Sequence, residues 1–116
     1  VLLWPRPKGL DLLKETYINT DNVRLLAEAS ERAWEAIRNK ALKLFAQAFL
    51  DSCHAQIRMF PAMMNTEIQK VIDSYRNDAL AWKLAGAGGG GYLILVAEKP
   101  IRGAMRIKVR RKEMMI

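Results

Sequence analysis

Apolar positions recur along this chain with two different periods, and the change falls just after residue 78. The opening apolar triplet, Val1 to Leu3, is followed by Pro5 and Pro7, which force an extended path. A short strand and then a loop are expected there. "NTDN" at 19–22 supplies side-chain oxygens that can accept the free N–H groups of a helix start. Behind it Val23, Leu26, Ala29, Ala33 and Ile37 fall three or four apart, the spacing of one helix face. "RNK" at 38–40 marks a brief break. A second stripe, Leu42, Phe45, Ala46, Phe49, Cys53, Ile57 and Phe60, predicts a long amphipathic helix that Pro61 stops. A third helix is expected from Asn65, with Thr66 and Gln69 at capping-box spacing and Ile68, Val71, Ile72 and Tyr75 on its apolar face.

Beyond "RND" at 76–78 the period becomes two. Leu80, Trp82 and Leu84 alternate as on a half-buried strand, and "YLILVA" at 92–97 is continuously apolar, as in a strand covered on both faces. Met105, Ile107 and Val109 alternate with Arg106, Lys108 and Arg110, which predicts a last strand with one packed and one wet face. The order strand, three helices, three strands predicts an α+β two-layer sandwich, with helices on one face of a small, mostly antiparallel sheet. At 116 residues the chain reads as a single domain, 1–116.

Composition adds little to that picture. The chain is 51% apolar and 27% charged, which suits a soluble globular domain. No apolar run approaches the roughly 20 residues of a membrane span. The chain begins at Val1 rather than Met, which suggests a piece of a longer protein, and the prolines near its start are unlike a signal peptide. One cysteine, Cys53, can form no internal disulfide, so a reducing cytoplasm is the expected setting. Residues 99–116 carry a net +6 of the total +7. Such a segment can bind nucleic acid or another polyanion. The alternation of Arg and Lys with apolar residues explains it equally as the solvated face of a strand, without a nucleic acid.

Five of the seven glycines lie in "GAGGGG", Gly86, Gly88, Gly89, Gly90 and Gly91 with Ala87 among them, between the two expected strands. A flexible linker would join domains rather than strands of one sheet, and a two-residue hairpin needs one or two glycines. Many glycines allow close approach of the backbone to a ligand, with several N–H groups converging, as in phosphate-cradling loops. Yet no Lys-Ser/Thr and no helix follows, so neither a P-loop nor a dinucleotide fingerprint is present. From the residues alone, a phosphate loop and a tight structural loop both remain open. Cys53 and His54 are adjacent on a helix, about 100° apart, so they make no nucleophile–base pair. His54 is expected to pack or hydrogen-bond. The scattered Trp4, Trp34 and Trp82 suit the edges of a core.

"KLAGAGGGGYLILV" resembles the third motif of the GHMP kinases, Lys-x-x-Gly-Ala-Gly-x-Gly-Gly followed by an apolar strand, with Lys83, Gly86, Ala87, Gly88, Gly90 and Gly91 on its positions. "SCHAQIRMFPAMMNTEIQKVI" is similar to the family's helix–turn–helix region, with Ser52, His54 and Glu67 on the motif. Ile57 stands for the usual Leu, Thr66 for Pro and Gln69 for Asp. The four consecutive glycines before an aromatic, and the "RIKVRR" ending, look most like the sugar-kinase branch that includes heptose-phosphate kinases and fucokinases.

The resemblance implies a ferredoxin-like C-terminal kinase domain. Its partner would be an N-terminal domain of the same chain that holds the ATP phosphates and most of the Mg²⁺ ligands, with the catalytic acidic residue. It implies that Gly86 to Gly91 line the phosphoryl-transfer cleft as cofactor-binding residues, that this piece alone is inactive, and that the acceptor is a sugar or sugar phosphate. Lys83 opens the Gly motif, and the turn carrying Met63 and Asn65 lies near the acceptor cleft in the family. Arg6 is a further candidate for an acidic substrate. The competing reading is a stand-alone α+β binding module whose basic last strand takes RNA or another polyanion. A third is a ligand-sensing domain with the glycines as a phosphate pocket.

Overall fold

The computed structural model describes residues 1–5, 16–85 and 91–106. Three helices and two strands follow in chain order: α1 (Thr20–Arg38), α2 (Leu42–Met59), a 3₁₀ turn (Pro61–Met63), α3 (Thr66–Tyr75), β1 (Ala81–Leu84) and β2 (Leu93–Val96). Helices α2 and α3 pack on an antiparallel sheet and α1 packs on α2, an α+β arrangement. No described helix is long and apolar enough to cross a membrane.

Helix α1 starts where the capping residues placed it: the Asn19 side chain accepts the Asn22 N–H at 2.9 Å. The buried Asn22 in turn donates to the Tyr17 carbonyl, and the Tyr17 N–H donates to the Met59 carbonyl at the far end of α2. The start of α1 is thus tied to the end of α2. Burial on α1 follows Asn22, Ala29 and Ala36, seven residues apart, with Leu26, Ala33 and Ile37 beside them. Val23, expected on the packed face, is exposed, and so is Trp34. The reason is that, among the described residues, α1 packs chiefly on α2, so a narrow seam is covered. Small residues line both sides of the hairpin, since Ala48 and Ala55 of α2 are also buried at seven-residue spacing.

The turn between the helices is a Schellman motif. The Lys40 N–H bonds the Ile37 carbonyl and the Ala41 N–H bonds the Ala36 carbonyl, with Lys40 at φ +53° where glycine is usual. Helix α2 stops at Met59, and Pro61 opens the 3₁₀ turn, a position that suits its missing N–H. Helix α3 is capped by Asn65, whose side chain accepts the Ile68 N–H at 2.8 Å. The expected Thr66–Gln69 capping box does not form: Thr66 is already helical, and Gln69 donates to Asp73 four residues on.

The main core joins Met63, Ile68 and Ile72 to Leu84 and Leu93 of the sheet, with Val1, Leu3, Trp4, Tyr75 and Trp82 packed around it. Strand β1 pairs with β2 in the register Ala81↔Val96 to Leu84↔Leu93. The first residues continue the sheet on the other side of β2. Leu2 bridges Tyr92, Val1 and Leu93 exchange two hydrogen bonds, and Leu3 and Trp4 bond the Gly91 carbonyl and N–H. Strand β2 was expected to be covered on both faces. It is not, because Ile94 and Tyr92 are exposed on the face away from Leu93. Met105 is 79% exposed rather than packed. The strand expected over Ile107 and Val109 lies outside the described residues.

Three outcomes follow. Lys40→Gly relieves a side chain held in the left-handed region and raises unfolding free energy by about 0.5–1 kcal/mol, read by urea denaturation. Asn65→Ala lowers it by about 1 kcal/mol, while Asn65→Ser retains most of the cap. Burial pushes the Cys53 thiol above its ordinary value, partly offset by the Leu84 backbone and the Lys83 charge. The unfolded thiol therefore loses its proton at lower pH than the folded one. The stabilisation is complete below the unfolded value of about 8.5 and is lost as pH rises toward the folded value. Denaturation midpoints should fall above pH 8.5, and Cys53→Ala should flatten that decline.

Candidate functional site

The strand pairing brings the two ends of the glycine segment together. The Ala85 N–H donates to the Tyr92 carbonyl at 2.9 Å, so residues 86–91 form the connection between paired strands. Gly86, Ala87, Gly88, Gly89 and Gly90 lie outside the described residues, as does Arg6. Gly91 has φ +81°, with open space around the position a Cβ would take, so its need for glycine is conformational rather than steric. Its N–H donates to the Trp4 carbonyl and its carbonyl accepts from Leu3. Both polar groups are thereby engaged in the sheet.

At the base of this connection, Lys83 sits opposite Ile94 on the face of β1 away from Leu84. Its Nζ donates to Ser52 Oγ on α2 at 2.7 Å and lies 5.9 Å from the centre of the Phe49 ring. Ser52 is 95% buried, its hydroxyl satisfied by this contact, and Cys53 beside it is buried under β1. Helical spacing explains the grouping: Phe49, Ser52 and Cys53 stand at i, i+3 and i+4 and so share one face. That spacing was readable in the sequence, yet nothing there linked Ser52 to Lys83 across 31 residues.

The other candidates are not gathered here. Met63 is a core residue on the Leu84–Leu93 face, opposite Lys83. The Asn65 side chain is engaged in capping α3. His54 is exposed rather than packed, because it points away from the face of α2 that carries Ser52 and Cys53. Glu67 is exposed and pairs loosely with Lys70 on its own helix. Among the described residues, no three His, Cys, Asp or Glu side chains converge as a metal site would require. Lys83 has no carboxylate within ion-pair distance among them either. Beside it, Leu2, Tyr92 and Ile94 form an exposed apolar stripe on one face of the sheet.

Three comparisons bear on these features. The family model described as GHMP kinases C terminal matches residues 22–108, three quarters of the chain. L-fucokinase/L-fucose-1-P guanylyltransferase from Bacteroides fragilis is 46% identical over 41 residues, a segment that is 35% of this chain and 4% of that much longer protein. No solved structure matches. The span of the family match runs from the first buried residue of α1 through both strands and the glycine connection, and on it the chain belongs to the GHMP kinases, in their C-terminal domain.

Proposed function

We propose that this chain is the C-terminal part of an ATP-dependent kinase that phosphorylates a sugar or sugar phosphate, and that residues 86–91 line the cleft where the phosphoryl group is transferred. The observation that carries this reading is the family match spanning a Lys-x-x-Gly-Ala-Gly-Gly-Gly-Gly connection held between paired strands. The similarity to a bifunctional fucokinase supports a sugar acceptor, with L-fucose the first to try.

Phosphoryl transfer asks a protein chiefly for positioning and for stabilisation of charge spread over the phosphoryl oxygens. Lys83 at the base of the connection is engaged with Ser52, and the described residues hold no carboxylate cluster suited to Mg²⁺. Metal ligands and the acid or base of the reaction would then come from an N-terminal domain of the same protein. The apolar stripe of Leu2, Tyr92 and Ile94 is surface that such a domain would take out of water. ATP would supply the phosphoryl group. This domain would shape one wall of the cleft and exclude water from it. The polyanion-binding alternative takes second place, since it explains neither the glycines nor the family match.

The test is ATP-dependent phosphorylation of a panel of sugars and sugar phosphates by the full-length protein, with the 116-residue piece assayed beside it. Turnover by the full chain and none by the piece is expected. Gly88→Val in the full chain should lower the rate about 100-fold or more while leaving the denaturation midpoint in place. A full chain without transfer on any acceptor would overturn the kinase reading and return the polyanion binder to first place.

A further inference from the structure

Lys83 is an odd residue to find where it stands. It occupies a half-buried position on the strand that leads into the glycine connection, and its ammonium group is turned toward α2 rather than toward water. Its partner Ser52 is a neutral hydroxyl, almost fully buried, and the nearest aromatic face is Phe49. Partial desolvation of a cation is repaid only when geometry and partners are good, and apolar replacements of such buried polar pairs are often neutral or stabilising. Stability alone therefore gives little reason for this pair.

Geometry gives a better one. Lys83 lies three residues before Gly86, on the segment whose pairing with β2 ends at Ala85–Tyr92. The far side of the connection is fixed separately, because both backbone groups of Gly91 are bonded to Leu3 and Trp4. One end is thus held by the first residues of the chain, and the other has Lys83 as its cross-link to α2. Helix α2 is the most deeply packed helix, so it provides a rigid reference.

We infer that the Lys83–Ser52 hydrogen bond is a positioning strut that fixes the base of the glycine connection against α2, and that it acts on phosphoryl transfer rather than on folding. The inference rests on the kinase reading above. Lys83 and Ser52 are positioning residues: their effect passes through the connection and not through contact with the reacting atoms. A displacement of about 1 Å in a group that orients substrate is enough to cost up to 100-fold in rate.

The experiment uses the full-length kinase with ATP and the best acceptor from the panel. Lys83→Met and Ser52→Ala should each lower kcat about tenfold or more with acceptor KM little changed, the signature of an interaction felt in the transition state. The double variant should be no slower than either single one, since both remove the same contact. Lys83→Arg, which keeps a donor, should recover part of the rate. ATP affinity by titration calorimetry and the urea midpoint are read in parallel: affinity should stay at its wild-type value throughout, and the midpoint should hold or rise in the double variant Lys83→Met/Ser52→Ala, which removes both partners together.

Wild-type kcat in both single variants overturns the strut. So does a loss of kcat in the double variant that tracks a fall in its midpoint, which makes the pair structural. A loss in Lys83→Met without one in Ser52→Ala, or with weakened ATP binding, replaces the strut with a direct contact from Lys83 to the nucleotide. A full-length wild type that transfers no phosphate overturns the kinase reading and the strut together, whereas an active wild type with unaffected variants overturns the strut alone.

Discussion

Helix α2 is covered on two sides, and the rest of the fold takes its position from that burial. One side meets α1 along a seam of small residues, Ala29 and Ala36 on α1 with Ala48 and Ala55 on α2. The other side meets the sheet through Phe49, Ser52 and Cys53. Small side chains on the first contact let two helices approach closely, and close approach needs the ends fixed in register. The Schellman turn at Lys40 fixes one end, and the Tyr17 to Met59 hydrogen bond fixes the other. The ion pair from Arg32 to Asp51 bridges the same hairpin at 2.8 Å, but it is exposed and contributes little. Packing and backbone geometry hold this half of the molecule together.

The sheet solves a different problem. Two short strands cannot stand alone in water. Here β2 gains a second neighbour in Val1–Trp4, and Leu84 and Leu93 are closed off by α3 and the 3₁₀ turn. The opposite face is left half open at Tyr92 and Ile94, next to the glycine connection. One face of the sheet therefore serves the core, while the other meets α2 through Lys83 and leaves Tyr92 and Ile94 exposed beside the glycine connection.

The helices were legible in the sequence because apolar spacing, capping side chains and Pro61 agree with one another there. The errors have local causes. A stripe that includes Val23 looks like a packed face, yet only the narrower seam through Asn22, Ala29 and Ala36 has a neighbour. Burial of a polar residue, Asn22, is invisible to any hydrophobic pattern, because hydrogen bonding to Tyr17 and not hydrophobicity is what permits it. "YLILVA" reads as doubly buried since apolar content cannot say whether a second layer exists. Ser52 and Lys83 each stood on a motif position, but their contact depends on how α2 lies across β1, which no local period encodes.

The glycines divide along the same line between local and tertiary causes. Gly91 is required by a positive φ and by two hydrogen bonds to the chain's first residues, so its place in the motif has a structural reason without any ligand. A phosphate cradle would need free N–H groups, and Gly91 has none to offer. If the connection approaches a nucleotide with its backbone donors, those donors belong to the residues before Gly91. The bonds of Gly91 to Leu3 and Trp4 tie this end of the connection to the sheet. A run of glycines is flexible by itself. The constraint that the fold places on this one is at its ends, where Ala85 bonds Tyr92 and Gly91 bonds Leu3 and Trp4.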